Sequence, residues 1–320
     1  MNNINPTFSR IMKVKAYLYD KPLLCRHLRW EKTAAWLFIS AIFYLLFSPL
    51  VYAACEVTDD MGNKVRLNQP AQRIISLAPD ITEILFAVGA GQQVVGVISG
   101  SDYPEAARHL PEVGSYSGID LERIISLHPD LIVTWSNTFA RQLMALKKMH
   151  LPVYTTEPRH LEDVPHTMIN LGCLTDRTTS ANKAVKQYNA RLKAIRERYH
   201  AKKPVTVFYQ IGSYSLITIN KDSWINQVIT LCGGRNIFAD SRTLAPEVGW
   251  EAVVTANPDV IVSSATSEDW KSRWANWPEM AAVKNHLLFT VNPDWIDRAG
   301  PRLLDGAAQL CEYLESGRKI

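Results

Sequence analysis

The residues best suited to chemistry in this chain are aromatic. Seven tryptophans lie beyond residue 54. Trp135 closes the apolar run Leu131–Trp135, which reads as a parallel strand, and parallel sheets bind ligands at the carboxyl ends of their strands. Tyr103 and Tyr116 fall in Gly/Ser/Pro-rich loops facing the same edge, and Trp295 follows the last predicted strand in the segment NPDWIDR. Together these side chains imply a flat aromatic cleft for a large, partly apolar ligand. Trp270, Trp274 and Trp277 keep helical spacing instead, which predicts burial.

Catalytic signatures are missing. The nearest approach to a nucleophile elbow, GSYSG at 114–118, carries Tyr where the nucleophile belongs. Gly89, Gly91 and Gly96 are misspaced for a dinucleotide fingerprint. Seven histidines beyond residue 54 are scattered, with no H-x-H or H-E-x-x-H pairing, so no metal site is expected. The acid pairs Asp59-Asp60 and Glu162-Asp163 read as exposed-loop and helix-start residues. An extracytoplasmic α/β hydrolase is the distant alternative to a binding protein.

The elements that must position these residues follow an α/β grammar. EVTDDMGNKVRLN (56–68) predicts a hairpin. RIISLA (73–78) is a strand, and Asp80 is a candidate N-cap for the helix after it. VVGVIS (94–99), LIVTW (131–135) and LPVYTTEP (151–158) are further strands, with helices at 121–128, where Asp120 is the cap, at 139–149 and at 161–174. Thr179–Lys202 is the longest helical pattern. Ala181, Ala184, Val185, Tyr188, Leu192, Ile195 and Tyr199 form one face over roughly 36 Å. Strand and helix signals then resume over 205–316.

LERIISLHPDLIVT (121–134) matches WEAVVTANPDVIVS (250–263) at an offset of 129 residues, pairing Glu122 with Glu251 and Pro129-Asp130 with Pro258-Asp259. The fold class expected is therefore α/β: two Rossmann-like lobes with parallel-sheet cores, joined by one long helix. The divisions are 1–54 as a leader, 55–175 as the first lobe, 176–203 as the connecting helix and 204–320 as the second lobe.

The chain has 320 residues, is 47% hydrophobic and 21% charged, and carries a formal charge of +4. The excess is local. Residues 1–54 hold seven of the 35 Lys/Arg and two of the 31 acids, so the rest, with 28 basic and 29 acidic residues, is near neutral and offers no groove for nucleic acid. Those basic residues precede an apolar run from Ala34 to Ala54, the pattern of a secretory signal, with Met12 as an alternative start and Val51 and Ala53 suited to a cleavage site. The same run is long enough for an uncleaved anchor, and Cys55 is placed for lipidation. All three readings put residues 56–320 outside the cytoplasm. Four cysteines remain there, Cys55, Cys173, Cys232 and Cys311, allowing three pairings.

RIISLAPDITEILFAVGAG, SDYPEAA, VGSYSGIDLERIISLHPDLIVTW and LCGGRNIF together resemble the helical-backbone class of periplasmic substrate-binding proteins, and within it the members that bind cobalamin. The resemblance covers about 70–320. It implies a non-enzymatic monomer that captures a corrinoid between two lobes and delivers it to the membrane permease subunits of an ABC importer, with cobalamin as cargo and no cofactor. Haem or a ferric siderophore is the alternative cargo; Tyr103, Tyr116 and Arg298 suit it.

The family's corrin-contacting loop matches Asp294, Trp295, Ile296, Asp297 and Arg298, with Asp297 in place of a Glu. Its strand-end Trp matches Trp135, and a cleft Trp matches Tyr116. A family Tyr falls on Gly100 and a second-lobe Trp near Ala245, so two aromatic contacts are missing. The resemblance further implies a disulfide between Cys232 and Cys311, leaving Cys55 and Cys173 as a possible second, and importer docking through Glu122 and Glu251.

Overall fold

Alternating apolar strands and amphipathic helices leave this chain two sheets to bury, each covered on both faces. The computed structural model describes residues 54–320 apart from Asn137, His200 and Tyr214. The expectations for the leader, Ala54 aside, lie outside the described residues.

The first sheet holds β3 (Ile74–Ser76), β4 (Val94–Val97), β7 (Leu131–Trp135) and β8 (Val153–Thr156), all parallel and ordered β4-β3-β7-β8. The second holds β9 (Val205–Gln210), β10 (Gly234–Asn236), β11 (Val260–Ser263) and β12 (Leu288–Thr290), ordered β10-β9-β11-β12. In both, the first strand of the sheet sits between the second and the third. The two sheets share one topology.

The 129-residue echo has a structural cause. In the first sheet the Asp130 carboxylate accepts the backbone N–H groups of Gln72 and Arg73 at 2.7 and 2.9 Å. In the second, Asp259 accepts the N–H and hydroxyl of Thr206 at 2.7 and 2.6 Å. Each Pro-Asp therefore clamps the start of the adjacent strand, using a charged acceptor that strengthens the bond.

Helices α1 (Pro79–Ala87), α2 (Leu121–Ser126), α3 (Ala140–Lys148) and α4 (Asp163–Leu174) cover the first sheet. The long α5 (Thr178–Tyr199) follows, with Ala181, Tyr188, Leu192 and Tyr199 buried and Ala184, Val185 and Ile195 packed beside them. It crosses α4 at a place where Gly172 leaves no room for a Cβ against Ala181. Around the second sheet lie α6 (Trp224–Leu231), α7 (Trp250–Ala256), α8 (Asp269–Trp274), α9 (Ala281–Lys284), α10 (Pro293–Ile296) and α11 (Leu303–Gly317). Helix α5 touches both α4 and α11, so one apolar cluster runs through the two lobes.

β1 (Cys55–Thr58) and β2 (Lys64–Leu67) form the antiparallel hairpin, and β5 (Gly114–Ser115) and β6 (Gly118–Ile119) pair as a second, shorter one. A disulfide between Cys55 and Cys173 staples it to α4, and a second, Cys232–Cys311, joins the end of α6 to α11. Two local expectations are corrected. Asp80 does not cap α1, because Ala78 precedes the helix and Asp80 sits buried in its first turn. Asp59 is a buried turn residue, its carboxylate accepting from the backbone of Met61 and Asn63.

Candidate ligand cleft

β7 delivers Trp135 to the carboxyl edge of the first sheet after four buried residues. Its indole Nε1 donates to Asp80 Oδ2 at 3.0 Å, which fixes the ring plane. Burial pushes the Asp80 carboxyl up to about 7 against the pull of that hydrogen bond. Opposite stands Trp224, the first residue of α6. Ser223 caps this helix by accepting from Ile225 N, and Trp224 Nε1 donates to the Ile296 carbonyl at 3.0 Å. The two rings meet edge to face, with centroids 6.1 Å apart and planes at 75°.

Beside the pair lies a cavity of about 430 Å³ that both rings line. Its apolar wall is Trp135, Trp224, Ile211, Ile219, Leu244 and Ala245, drawn from both lobes. Its charged lining is Glu157, Arg159, Asp222 and Asp297. Glu157 and Arg159 are ion-paired, and hydrogen bonding from Ser136 helps hold the Glu157 carboxyl below its ordinary value. Asp297 accepts from the Tyr209 hydroxyl at 3.0 Å, and burial pushes it up to about 6.

A second set of charges links the lobes beside the cavity. Arg298 donates to Glu83 (3.1 Å), Asp102 (2.8 Å) and Asp294 (2.7 Å). Arg302 grips Glu83 through Nε and Nη2 at 3.0 and 2.6 Å. Glu83 is almost wholly buried, and an unpaired carboxylate there would be costly, so the two guanidinium groups neutralise it. Burial pushes Asp102 up, but the hydrogen bond and charge of Arg298 outweigh it and hold the carboxyl below the ordinary range.

Across residues 74–294 the chain matches the profile described as "Periplasmic binding protein". The chain belongs to the periplasmic binding protein family. It is 36% identical over 254 residues to a protein called vitamin B12-binding protein in Vibrio parahaemolyticus, covering 79% of this chain and 92% of that one. A protein of the same name in Yersinia pestis is 37% identical over 249 residues, covering 78% and 88%. Among solved structures, the periplasmic vitamin B12 binding protein BtuF of Vibrio cholerae superposes with a TM-score of 0.73 at 36% identity, covering 78% of this chain and 99% of that one. The periplasmic haem-binding protein RhuT of Roseiflexus, at 23% identity and a TM-score of 0.68, shares the fold.

Within this family fold, the residues expected from sequence fall into three groups. Trp135 and Asp297 line the cavity. Asp294 and Arg298 belong to the ion network, and Tyr103 lies under it, with the Arg302 guanidinium 4.0 Å from its ring centroid. Tyr116 is mostly exposed and is not part of the cavity wall; partial burial and the Asp80 carboxylate push its phenol up while Arg298 pulls it back. Trp295 is half-buried on α10 and is not part of the cavity wall, and the Ile296 side chain is fully buried, offering only its carbonyl.

Glu122 and Glu251 are exposed in the first turns of α2 and α7. Asp120 caps α2 by accepting from Arg123 N at 2.9 Å. Trp270 and Trp274 are fully buried as their spacing predicts, while Trp277 lies beyond α8, stacked on Trp250 at 4.9 Å.

Sequence reasoning missed Trp224, Glu83 and Arg302. The signal for Trp224 was its place just after Ser223, a helix-capping residue at the start of an α/β crossover. Glu83 gave none, because its partners lie 215 and 219 residues away.

Proposed function

We propose that this periplasmic protein captures cobalamin between its two lobes and hands it to an inner-membrane ABC importer. The observation that carries this reading is the charge of the cavity lining beside its aromatic wall. Glu157, Asp222 and Asp297 are acids, and the base Arg159 is already engaged by Glu157. Such a lining disfavours the two propionates of haem. It suits the neutral amide arms of a corrin, which both donate and accept hydrogen bonds. The vitamin B12-binding relatives, similar over nearly their whole length, support the same reading.

In this reading Trp135 stacks on the ligand, Tyr103, Tyr116 and Trp295 contribute aromatic contact, and Asp294, Asp297 and Arg298 meet polar groups of the corrin. A corrinoid is larger than the cavity, so its entry parts the Trp135 and Trp224 rings. The lobes are 55–175 and 204–320, with 176–203 between them. The leader acts as a signal peptide. Cys55 stays in its disulfide with Cys173, a bond that leaves its sulfur no valence for the thioether of a lipid anchor. The protein acts as a monomer, and Glu122 and Glu251, one per lobe, dock basic residues of the permease subunits, setting orientation and association rate.

Calorimetric titration with cyanocobalamin and, separately, with haemin tests the cargo. Tight 1:1 binding of cyanocobalamin is expected, and Trp135→Ala should weaken it by about 1–3 kcal/mol. Binding of haemin alongside no heat with any corrinoid would overturn the reading. Replacing Glu122 and Glu251 together with Ala should leave that titration unchanged while abolishing co-purification with the importer.

A further inference from the structure

Of the two tryptophans that meet at the cavity wall, only one sits at a strand end. The 129-residue offset carries Trp135 onto Ser264, so the second lobe has no aromatic side chain at the equivalent strand end. The rest of that lobe's apolar wall is aliphatic, and Ala245 leaves open space. Trp224 enters the same space from a different element, the start of α6.

One feature separates Trp224 from a core tryptophan, and two others suit it to a ligand. Trp270 and Trp274 are fully enclosed, whereas Trp224 is half-buried and keeps surface on the cavity. Its ring is held by the Ile296 carbonyl, which accepts from Nε1, and its backbone lies at the capped start of α6. The two rings meet edge to face rather than stacked, which leaves stacking area available on the pair. A ring held in one orientation before the ligand arrives loses little freedom on binding.

We infer that Trp224 is the second lobe's ligand-stacking residue, standing opposite Trp135 and setting which large planar ligand the cleft accepts. The inference rests on the reading of the cleft as a corrinoid site. The ligand inserts between the two indoles, one face on Trp135 and an edge or face on Trp224, and the gap at Ala245 takes the groups that project from the macrocycle. A thin, flat ligand leaves that gap empty and loses contact there.

The test uses the whole secreted chain and cyanocobalamin, with calorimetry and tryptophan fluorescence on the wild type, Trp224→Leu, Trp224→Phe and Trp224→Leu combined with Ala245→Trp. Circular dichroism melts check that each variant folds. Trp224→Leu keeps the side chain apolar but removes the aromatic face, and it should weaken binding about tenfold to a hundredfold. Trp224→Phe should stay within about threefold of the wild type. Ala245→Trp in the Leu background returns an aromatic ring to the same wall and should recover part of the loss. The ligand-induced fluorescence change should shrink in Trp224→Leu.

Affinity within twofold of the wild type in Trp224→Leu overturns the inference. If that variant fails to fold, Ala245→Trp in the wild-type background decides. A second large ring crowding Trp224 should weaken binding, and unchanged affinity overturns the proposal. A wild type that binds no corrinoid overturns the cargo reading itself, and this inference with it.

Discussion

The two lobes share a strand order, a Pro-Asp clamp and an exposed first-turn glutamate, yet they fill the same space differently. Ile75 and Ile132 pair on the inner strands of the first sheet, and Phe208 and Ile261 pair at the matching place in the second. Over the first pair the packing is aliphatic, with Leu77, Val113, Ile124, Leu143 and Leu146. Over the second it is aromatic. Trp274 lies 5.7 Å from Phe208, 4.7 Å from Trp250 and 5.8 Å from Trp277, centroid to centroid. The second lobe thus spends four of its six tryptophans on its core, while the first presents its one at a strand end. Tryptophan is therefore no marker of a ligand site by itself: two of the seven beyond residue 54 line the cavity.

That contrast makes a stability prediction of the largest size. Trp274→Ala removes a fully buried ring and leaves Gln210 Oε1 without the indole donor at 3.2 Å, so it should cost about 3–5 kcal/mol in urea unfolding. Leu146→Ala in the aliphatic core should fall near the lower end of about 2–5 kcal/mol. Equal costs would mean that the aromatic cluster adds nothing beyond its volume.

The disulfides sharpen the same contrast. Cys232 and Cys311 are wholly buried and 79 residues apart in sequence, whereas Cys55 and Cys173 are half-buried and 118 apart. Replacing Cys232 and Cys311 with Ala should cost about 2–5 kcal/mol by scanning calorimetry, and more than the Cys55 and Cys173 double replacement. Loop-closure entropy alone predicts the reverse order, so the calorimeter separates core packing from chain entropy.

The clamps should behave alike. Asp130→Ala and Asp259→Ala each strand donors at a strand start and should cost about 1–3 kcal/mol, with Asp259 the larger because it also holds the Thr206 hydroxyl. A cost near zero at either position, measured by urea unfolding, would reduce the 129-residue echo to coincidence.

The lobes differ last in pH dependence. Asp80 in the first lobe is raised from 3.8 to about 7 and Asp297 in the second to about 6, both by burial. A raised acid favours the fold while protonated. Its contribution is complete below the unfolded value and is lost as pH climbs toward the folded one. Asp80→Asn keeps an acceptor for Trp135 Nε1 without the charge. Its melting temperature relative to wild type should therefore rise from pH 4 to 7 and level off above. A flat difference across that range would show that Asp80 is ionised in the fold at acid pH as well.

Much of this architecture is legible in the sequence. The 73–78 and 131–135 runs became β3 and β7, Asp120 became a cap, and the apolar face of 179–202 became the buried side of α5. These features depend on hydrogen bonds and side-chain periodicity within a few residues, which a sequence states directly. Asp80 shows where that reading stops. Locally it is a good cap, but burial and the Trp135 indole, 55 residues on, give it another task.

Sequence by itself determined the strand ends, the paired clamps, the long connecting helix and the presence of Trp135 at a sheet edge. Only the tertiary structure decided that Trp224 faces that residue while Trp250, Trp270, Trp274 and Trp277 pack elsewhere. It alone brought Arg298 and Arg302 onto Glu83 across more than 200 residues. The physical reason is that periodicity records which side of an element is apolar, whereas the surface that side meets is chosen when the two lobes pack around α5 and bury the charges left between them.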